Sequence, residues 1–175
     1  YCSVHSGMGG QANTNSTLGS SNFDGSIQSR AKVNATAGFS IVTYTGNGTG
    51  GATIGHGLGV KPDSIIIKRR DAVDNWMFYH KGVNASVDPE DYYLELNSSG
   101  SQINSTVMLN DTAPTSTSVT IGSDNSVNGS SATYLMYCFS EVAGYSKFGS
   151  YTGNGSSDGT FVFTGFRPAF LIVKA

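Results

Sequence analysis

Few side chains in this sequence have the type and spacing that metal binding needs. The histidines are His5, His56 and His80, and no two of them stand two or four residues apart, the spacings that bring two imidazoles to one metal ion. His56, between two glycines, is interpreted as a turn residue, and His80 as the last residue of a strand. Residues 124–129 are rich in oxygen ligands but lack the closing glutamate of a calcium loop. The sequence therefore predicts no metal site and no cofactor.

The motifs of common catalytic sites are also missing from the sequence. Glu90, Asp91 and Glu95 could supply paired carboxylates, but residues 88–91 have the pattern of a solvated turn with proline at its first helical position. No Gly-x-Ser-x-Gly elbow occurs, and the glycine-rich residues 46–51 lack the Lys-Ser/Thr pair of a phosphate-binding loop. We therefore expect no catalytic residue and no enzymatic activity.

Aromatic side chains could support recognition of a sugar. Trp76, Tyr79, Tyr92 and Tyr93 are the candidate contacts, because flat rings with a polar edge stack well against apolar ligand faces. The competing interpretation, which we favour, places most of them in the hydrophobic core. A host glycan or surface receptor stays a candidate partner.

The composition predicts the scaffold that positions these residues. Only 13% of the residues are charged and the net charge is -2, which makes nucleic acid a poor candidate partner. Gly, Ser, Thr and Asn are abundant, and the apolar residues are mostly Val, Ile, Phe and Tyr. That profile is typical of short strands joined by tight turns, and of extracellular or particle-surface β-proteins. No apolar run is long enough to span a bilayer.

Alternating apolar residues and turn signals predict an all-β fold, an antiparallel β-sandwich or jelly roll with minimal helix. We expect strands near residues 39–44, 52–54, 63–69, 75–80, 92–96, 105–109, 116–121 and 133–139. Residues 3–36 contain few large apolar side chains, which indicates a linker or an arm laid across a neighbour, anchored by Phe23, Ile27 and Val33.

An internal repeat organises the chain. The motif Tyr-Thr-Gly-Asn-Gly occurs at residues 44–48 and again, 107 positions later, at 151–155. Pro62 and Lys68 recur as Pro168 and Lys174, at an offset of 106. The sequence thus indicates a tandem module of about 105 to 110 residues.

Tyr1-Cys2 also recurs, as Tyr137-Cys138, so we expect the chain to open on the last strand of one module and to end early in the next. The predicted organisation is an extended arm at 1–36, a β-sandwich module at 37–142, and residues 143–175 as the start of another repeat or as strands that complete the same or a neighbouring sheet. Unpaired strands at such ends seek partners, so the predicted partners are copies of the same chain. The candidate assembly strands contain Tyr1, Cys2 and Val4 at one end and Phe161, Phe163, Phe170 and Ile172 at the other.

Two further residue types allow alternative interpretations. Cys2 and Cys138 would lie a module apart, so the favoured interpretation is two buried free thiols, and an intramodule disulfide is the alternative. Asn-x-Ser/Thr triplets are frequent, and surface glycosylation is a minor alternative to chance occurrence. The candidate acceptors are Asn15, Asn34, Asn84, Asn97 and Asn104.

Several motifs from residue 37 onward resemble a β-rich repeat domain of uncharacterised function. They are Ala-Gly-Phe-Ser-Ile-Val-Thr-Tyr-Thr-Gly-Asn-Gly at 37–48, Gly-His-Gly-Leu-Gly-Val-Lys-Pro at 55–62, Asn-Trp-Met-Phe-Tyr-His at 75–80, Ala-Pro-Thr-Ser at 113–116, Val-Asn-Gly-Ser at 127–130, Tyr-Leu-Met-Tyr-Cys-Phe at 134–139, and Gly-Tyr-Ser-Lys-Phe-Gly-Ser-Tyr-Thr-Gly-Asn-Gly at 144–155. That domain is common in tail-fibre-like and other virion structural proteins of tailed bacteriophages, especially those of aquatic bacteria. The resemblance implies a non-enzymatic particle component with no catalytic residues to carry over.

The sequence therefore predicts a structural subunit of an extracellular or virion appendage, assembled through strand pairing and apolar contacts between copies. One alternative is a self-polymerising, pilus-like fibril in which an end segment completes the sheet of a neighbour. The other is an adhesion module that binds a glycan or receptor.

Overall fold

The computed structural model describes residues 19–175 and consists mainly of short β-strands. The strands are β1 (Ser20–Asn22), β2 (Ser29–Asn34), β3 (Phe39–Thr45), β4 (Ala52–Gly55), β5 (Ser64–Arg69), β6 (Trp76–His80), β7 (Tyr92–Glu95), β8 (Ile103–Asn104), β9 (Ser118–Ile121) and β10 (Thr133–Phe139). The helical segments are the 3-10 turns Ala35–Ala37, Val83–Ser86 and Pro89–Asp91, and one short helix, α1 (Asn125–Asn128).

Eight of the strands form one antiparallel sheet in the order β1-β2-β3-β10-β5-β6-β7-β8, and β4 and β9 form a separate pair. Strand β10 lies at the centre and pairs with β3 on one side and β5 on the other, so that Tyr137 stands opposite both Ile41 and Ile66. The predicted all-β, antiparallel fold with minimal helix is confirmed. Its strands are divided eight to two between a large and a small sheet.

The core lies between the large sheet and the small one. Along β10, Tyr134, Met136 and Cys138 are fully buried, whereas the intervening side chains are half-buried on the opposite face. Ile54 of β4 and Ile121 of β9 belong to the same buried cluster, so the small sheet covers the inner face of the large one. A second cluster, centred on Phe78, Val83 and Leu94, lies on the outer face.

Residues 20–34 differ from the predicted arm, because they form β1 and β2 and extend the large sheet. Small side chains make this possible: Ser29 and Ala31 face the core and are almost fully buried, while Arg30 and Lys32 point to the other side. Of the expected anchors, Ile27 is buried, but Phe23 and Val33 are 56% and 39% exposed. A strand can join the edge of a sheet without large apolar residues when its inward positions are small.

Residues 105–109 form turns and no strand. Met108 and Leu109 are nevertheless buried, and the Met108 carbonyl accepts a hydrogen bond of 3.1 Å from the Gly122 amide. The Val107 carbonyl lies where a β-carbon at Gly122 would stand, at only 2.2 Å. The apolar run is therefore buried by a turn packed against glycine, and the short strand β8 precedes it.

His56 is a core residue, contrary to its interpretation as a turn residue. Its side chain is fully buried, Nδ1 accepts a hydrogen bond from the Leu58 amide at 3.2 Å, and Nε2 lies 3.3 Å from the Thr115 carbonyl. These partners require a proton on Nε2 and none on Nδ1. Burial lowers the pKa of His56, although the Thr115 carbonyl and Asp24 oppose the shift. The imidazole is therefore a neutral structural link between two loops.

Acidification should destabilise the fold through this histidine. The unfolded chain takes up a proton near the ordinary pKa of 6.5, whereas the folded chain resists it, so stability falls as the pH drops below about 6.5. The loss grows as the pH falls further, until the folded chain takes up the proton as well. Urea denaturation between about pH 7.5 and pH 5.5 measures it. In a His56→Gln variant this part of the slope should disappear, and an unchanged slope would assign it to other groups.

Cys138 is free and fully buried on β10. Burial raises the pKa of its thiol to about 12, while the neighbouring Ser40 hydroxyl opposes the shift. The thiol is thus protonated and packed as a small apolar group, as predicted for this cysteine. Cys2 lies outside the described residues.

Candidate assembly site

The first Tyr-Thr-Gly-Asn-Gly motif, residues 44–48, is held on several sides by the module around it. The Tyr44 hydroxyl donates a hydrogen bond of 2.6 Å to the Val127 carbonyl, and its ring stacks on Tyr134 with centroids 5.0 Å apart. Gly46 passes so close to α1 that a β-carbon there would stand 2.4 Å from the Gly129 carbonyl oxygen. The motif therefore turns tightly against α1 and the start of β10.

Asn128 locks this turn from inside the protein. Its fully buried side chain accepts a hydrogen bond from the Asn47 amide at 2.9 Å. Its amide group donates to the Thr49 carbonyl at 2.9 Å, to the Gly122 carbonyl at 3.1 Å and to the Asn47 side chain at 3.2 Å. This role was not predicted from the sequence, although Asn128 lies in the Val-Asn-Gly-Ser motif at 127–130. An asparagine in a polar Asn-Gly-Ser stretch carries no sequence sign that it will be buried.

The second copy of the motif, residues 151–155, has the same five letters but none of these partners. Tyr151 is 53% exposed, whereas its counterpart Tyr44 is 4% exposed. Asn154 bonds only within its own loop, to the Asp158 carbonyl at 3.0 Å and from the Ser156 amide at 3.0 Å. Nothing lies within 4 Å of the position that a β-carbon would take at Gly153.

The residues that follow the second motif are also more exposed than their counterparts after the first motif. Leu171 and Val173 correspond to Ile65 and Ile67 of β5, which are fully buried, yet they are 72% and 59% exposed. The predicted assembly residues are also exposed, namely Phe161 (85%), Phe163 (77%), Phe170 (80%) and Ile172 (53%). Residues 149–175 form no strand in the structure. We call residues 151–174 the exposed repeat segment.

The base of this segment is fixed to the large sheet. The Phe148 ring lies 6.2 Å from Phe139 and 6.1 Å from His80, centroid to centroid. Glu141 bonds to Lys147 at 2.7 Å and to Lys81 at 3.0 Å. Both ammonium groups lower the pKa of Glu141, to about 2, so the carboxylate stays ionised at ordinary pH. The exposed repeat segment therefore leaves the module from a defined point.

The structure does not bring the four candidate glycan contacts to one surface. Trp76 is 40% exposed at one end of β6, with the Lys68 ammonium 6.0 Å from its ring centre. Tyr79 and Tyr93 are buried in the main core. Tyr92 is half-buried against the outer cluster. A single aromatic platform built from these rings is therefore not present.

The remaining candidate residues fall into two groups. Asn34, Asn97 and Asn104 are exposed and Asn84 is half-buried. The Asn34 side chain accepts a hydrogen bond from the Ala37 amide at 3.1 Å and caps the first 3-10 turn. Asn15, Tyr1, Cys2 and Val4 lie outside the described residues.

Residues 19–175 contain neither a cluster of metal ligands nor a membrane-spanning helix. No three side chains of His, Cys, Asp or Glu there stand close enough together to hold a metal ion. None of the helical segments in that part of the chain has the length and hydrophobicity to cross a bilayer.

One comparison with known proteins gives a family. The family model of DUF7483, a domain of unknown function, matches residues 12–175. The chain belongs to the DUF7483 family. The matched range begins before β1 and runs through the exposed repeat segment, so both are parts of the DUF7483 domain. No curated protein and no solved structure matches the chain.

Proposed function

We propose that this DUF7483 domain is a non-enzymatic structural subunit that assembles with copies of itself through the exposed repeat segment. The observation that carries the proposal is the pair of identical motifs in different surroundings. In the first motif Tyr44 and Asn47 bond to α1 and the Tyr44 ring stacks on Tyr134 of β10, whereas Tyr151 and Asn154 of the second motif are exposed. Because the two motifs have the same side chains, we expect residues 151–155 to need packing and hydrogen-bond partners like those of residues 44–48.

The pairing of β3 and β5 with β10 indicates which strand the exposed repeat segment would pair with. Strand β5 lies between β10 and β6, and the last residues of β3 pair with the first residues of β10. A strand equivalent to β10 would therefore join residues 148–152 to residues 170–174. Tyr1-Cys2 repeats the Tyr137-Cys138 pair of β10, which lies opposite residues 40–41 of β3 and residues 65–66 of β5. The first residues of a second copy are therefore the proposed donor, opposite residues 147–148 and 171–172. Repetition of this contact would build a head-to-tail fibre.

We further propose an extracellular or virion setting, of the tail-fibre-like kind that the sequence motifs resemble. Support comes from the low charge and the scarcity of large charged clusters among the described strands. A pilus-like fibril would use the same donated strand.

Charged residues in the exposed repeat segment should abolish assembly without harming the module. In a Leu171→Asp, Val173→Asp double variant, two positions that would face a core acquire charges that a paired strand cannot bury. Sedimentation velocity and electron microscopy should show fibres or oligomers for the unchanged chain and monomers for the variant. Thermal unfolding of the variant monomer should be unchanged, because both side chains are exposed.

The matched control is Val73→Asp, at a fully exposed valine in the loop before β6. It adds a charge at an apolar surface position outside the exposed repeat segment, and assembly should persist. Equal loss in both variants would show a general solubility effect. An unchanged chain that stays monomeric at every concentration would overturn the proposal.

A further inference from the structure

A cavity of about 510 Å³ opens at the end of the large sheet, beneath the start of the exposed repeat segment. Its volume lies within the range of about 300–1,000 Å³ that is usual for small-molecule sites. Its wall is formed by the ends of β6 and of the loop that follows, and by the chain around Phe148. The polar side chains of the wall are those of Lys61, Tyr79, Lys81, Ser86, Asp88, Glu90 and Ser150.

Tyr79 lines the cavity and has a polar group that nothing in the described chain satisfies. The residue is fully buried, and its hydroxyl has no hydrogen-bond partner among the described residues. A buried hydroxyl without a partner costs about 1–3 kcal/mol, so a partner from outside the chain would recover that energy. Burial raises the pKa of Tyr79 to about 12, with contributions from Glu90 and Asp63. The phenol is therefore a neutral donor within electrostatic range of the acidic part of the wall.

The charges of the wall argue against a strongly charged ligand. The wall contains Lys61 and Lys81 beside Asp88 and Glu90, and Lys81 is paired with Asp63 at 3.1 Å and Glu141 at 3.0 Å, so no uncompensated positive charge is left for an anion. An anion such as phosphate would meet Asp88 and Glu90. What is left is a set of hydrogen-bonding groups beside the half-buried ring of Phe148. A saccharide fits that set, since it offers many hydroxyls and one apolar face to a ring.

The backbone of the wall is strained in a way that is typical of binding sites. The loop that brings Ser86 and Asp88 to the wall has four residues in the left-handed region, which residues other than glycine rarely adopt. Their φ angles are 49° at Asn84, 55° at Ala85, 66° at Ser86 and 41° at Asp88. Each such residue costs about 1–3 kcal/mol and persists where its surroundings fix it, often at ligand sites. The Asn84 amide is held by the Gln102 side chain at 2.7 Å, and the Asn84 side chain by the Val87 carbonyl at 2.8 Å.

From this geometry we propose that the cavity is a binding site for a neutral saccharide, with the Tyr79 hydroxyl as a buried donor and the Phe148 ring as the apolar wall. One chain alone forms this cavity, and it shares Phe148 with residues 148–152, which the assembly proposed above would pair with a donated strand. It also differs from the aromatic platform considered from the sequence, as Tyr79 acts here through its hydroxyl and neither Trp76 nor Tyr93 takes part.

Saturation-transfer NMR with a panel of free hexoses and N-acetylhexosamines tests the site, with inorganic phosphate as the charged comparison. At least one sugar should receive saturation, with a dissociation constant in the millimolar range of about 1–10 mM. In Tyr79→Phe the affinity should fall about three- to tenfold. The thermal stability of this variant should be equal or higher, because the lost hydroxyl has no partner in the chain.

Tyr93→Phe is the matched control, since Tyr93 is buried in the same core but does not line the cavity. It should leave sugar binding unchanged, whereas Phe148→Ala should weaken binding as Tyr79→Phe does. The proposal fails if no sugar in the panel receives saturation, if only phosphate binds, or if Tyr79→Phe binds sugar as tightly as the unchanged chain.

Discussion

Replacing Asn128 with alanine should lower the free energy of unfolding by about 3–5 kcal/mol, a large fraction of the stability of a domain of this size. The side chain is fully buried and is shared by the Asn47 amide and by the carbonyl groups of Thr49 and Gly122. Alanine leaves the Asn47 amide and the Gly122 carbonyl without this partner in an enclosed space, and the Thr49 carbonyl keeps only the Ala52 amide at 3.3 Å. Urea denaturation monitored by tyrosine fluorescence gives the free energy directly.

The control for this prediction is Asn125→Ala on the same short helix. Asn125 is exposed, and it is its backbone carbonyl, not its side chain, that accepts the hydrogen bond of 2.6 Å from the Tyr134 hydroxyl. This substitution should change stability by no more than about 0.5 kcal/mol. Equal effects at positions 125 and 128 would mean that Asn128 does not fix the 44–48 turn.

Gly46→Ala should be the second most damaging change, and Gly153→Ala its neutral counterpart. The two glycines occupy the same place in identical motifs. At Gly46 a β-carbon would stand 2.4 Å from the Gly129 carbonyl oxygen and 2.9 Å from the Asn128 carbonyl carbon, so the backbone must shift. The expected loss is about 3 kcal/mol, at the upper end of overpacking effects. At Gly153 nothing lies within 4 Å, and the monomer should be unaffected.

This pair of variants also bears on assembly. If the exposed repeat segment folds against a second copy as residues 44–48 fold against α1, Gly153→Ala should weaken oligomers while leaving the monomer intact. Thermal unfolding at low concentration reports the monomer, and sedimentation at high concentration reports the oligomer. Oligomers that tolerate Gly153→Ala would show that the second motif does not form the same tight turn.

Regular alternation made much of the fold predictable from sequence. The strands at 39–45, 64–69, 76–80 and 133–139 were predicted with nearly correct bounds, because their apolar residues alternate or cluster and glycine, proline or asparagine flanks them. The strand expected at 105–109 was wrong, since three consecutive apolar residues can be buried equally well by a turn. β2 was missed because its inward residues are serine and alanine, which give no hydrophobic signal.

The candidate sites were harder to predict because their key atoms depend on distant parts of the chain. The role of Asn128 requires residues 47, 49 and 122 to lie within hydrogen-bond distance of its side chain, and no local sequence pattern predicts this arrangement. Tyr79 was chosen from sequence for the flat face of its ring, but its informative feature is a hydroxyl without a partner. The repeat, in contrast, was visible as identical letters, and the structure adds that the two copies have opposite exposure.

The edges of the large sheet restrict the directions in which such a protein can polymerise. The outermost strands are only three and two residues long, β1 and β8, and the free side of β4 is partly taken by the Ile27 amide, which donates to the Thr53 carbonyl at 3.0 Å. Such short rims give an incoming chain almost no backbone to pair with, which disfavours ribbon-like stacking and amyloid growth. Growth through the exposed repeat segment would then follow a single axis and give a fibre of constant width.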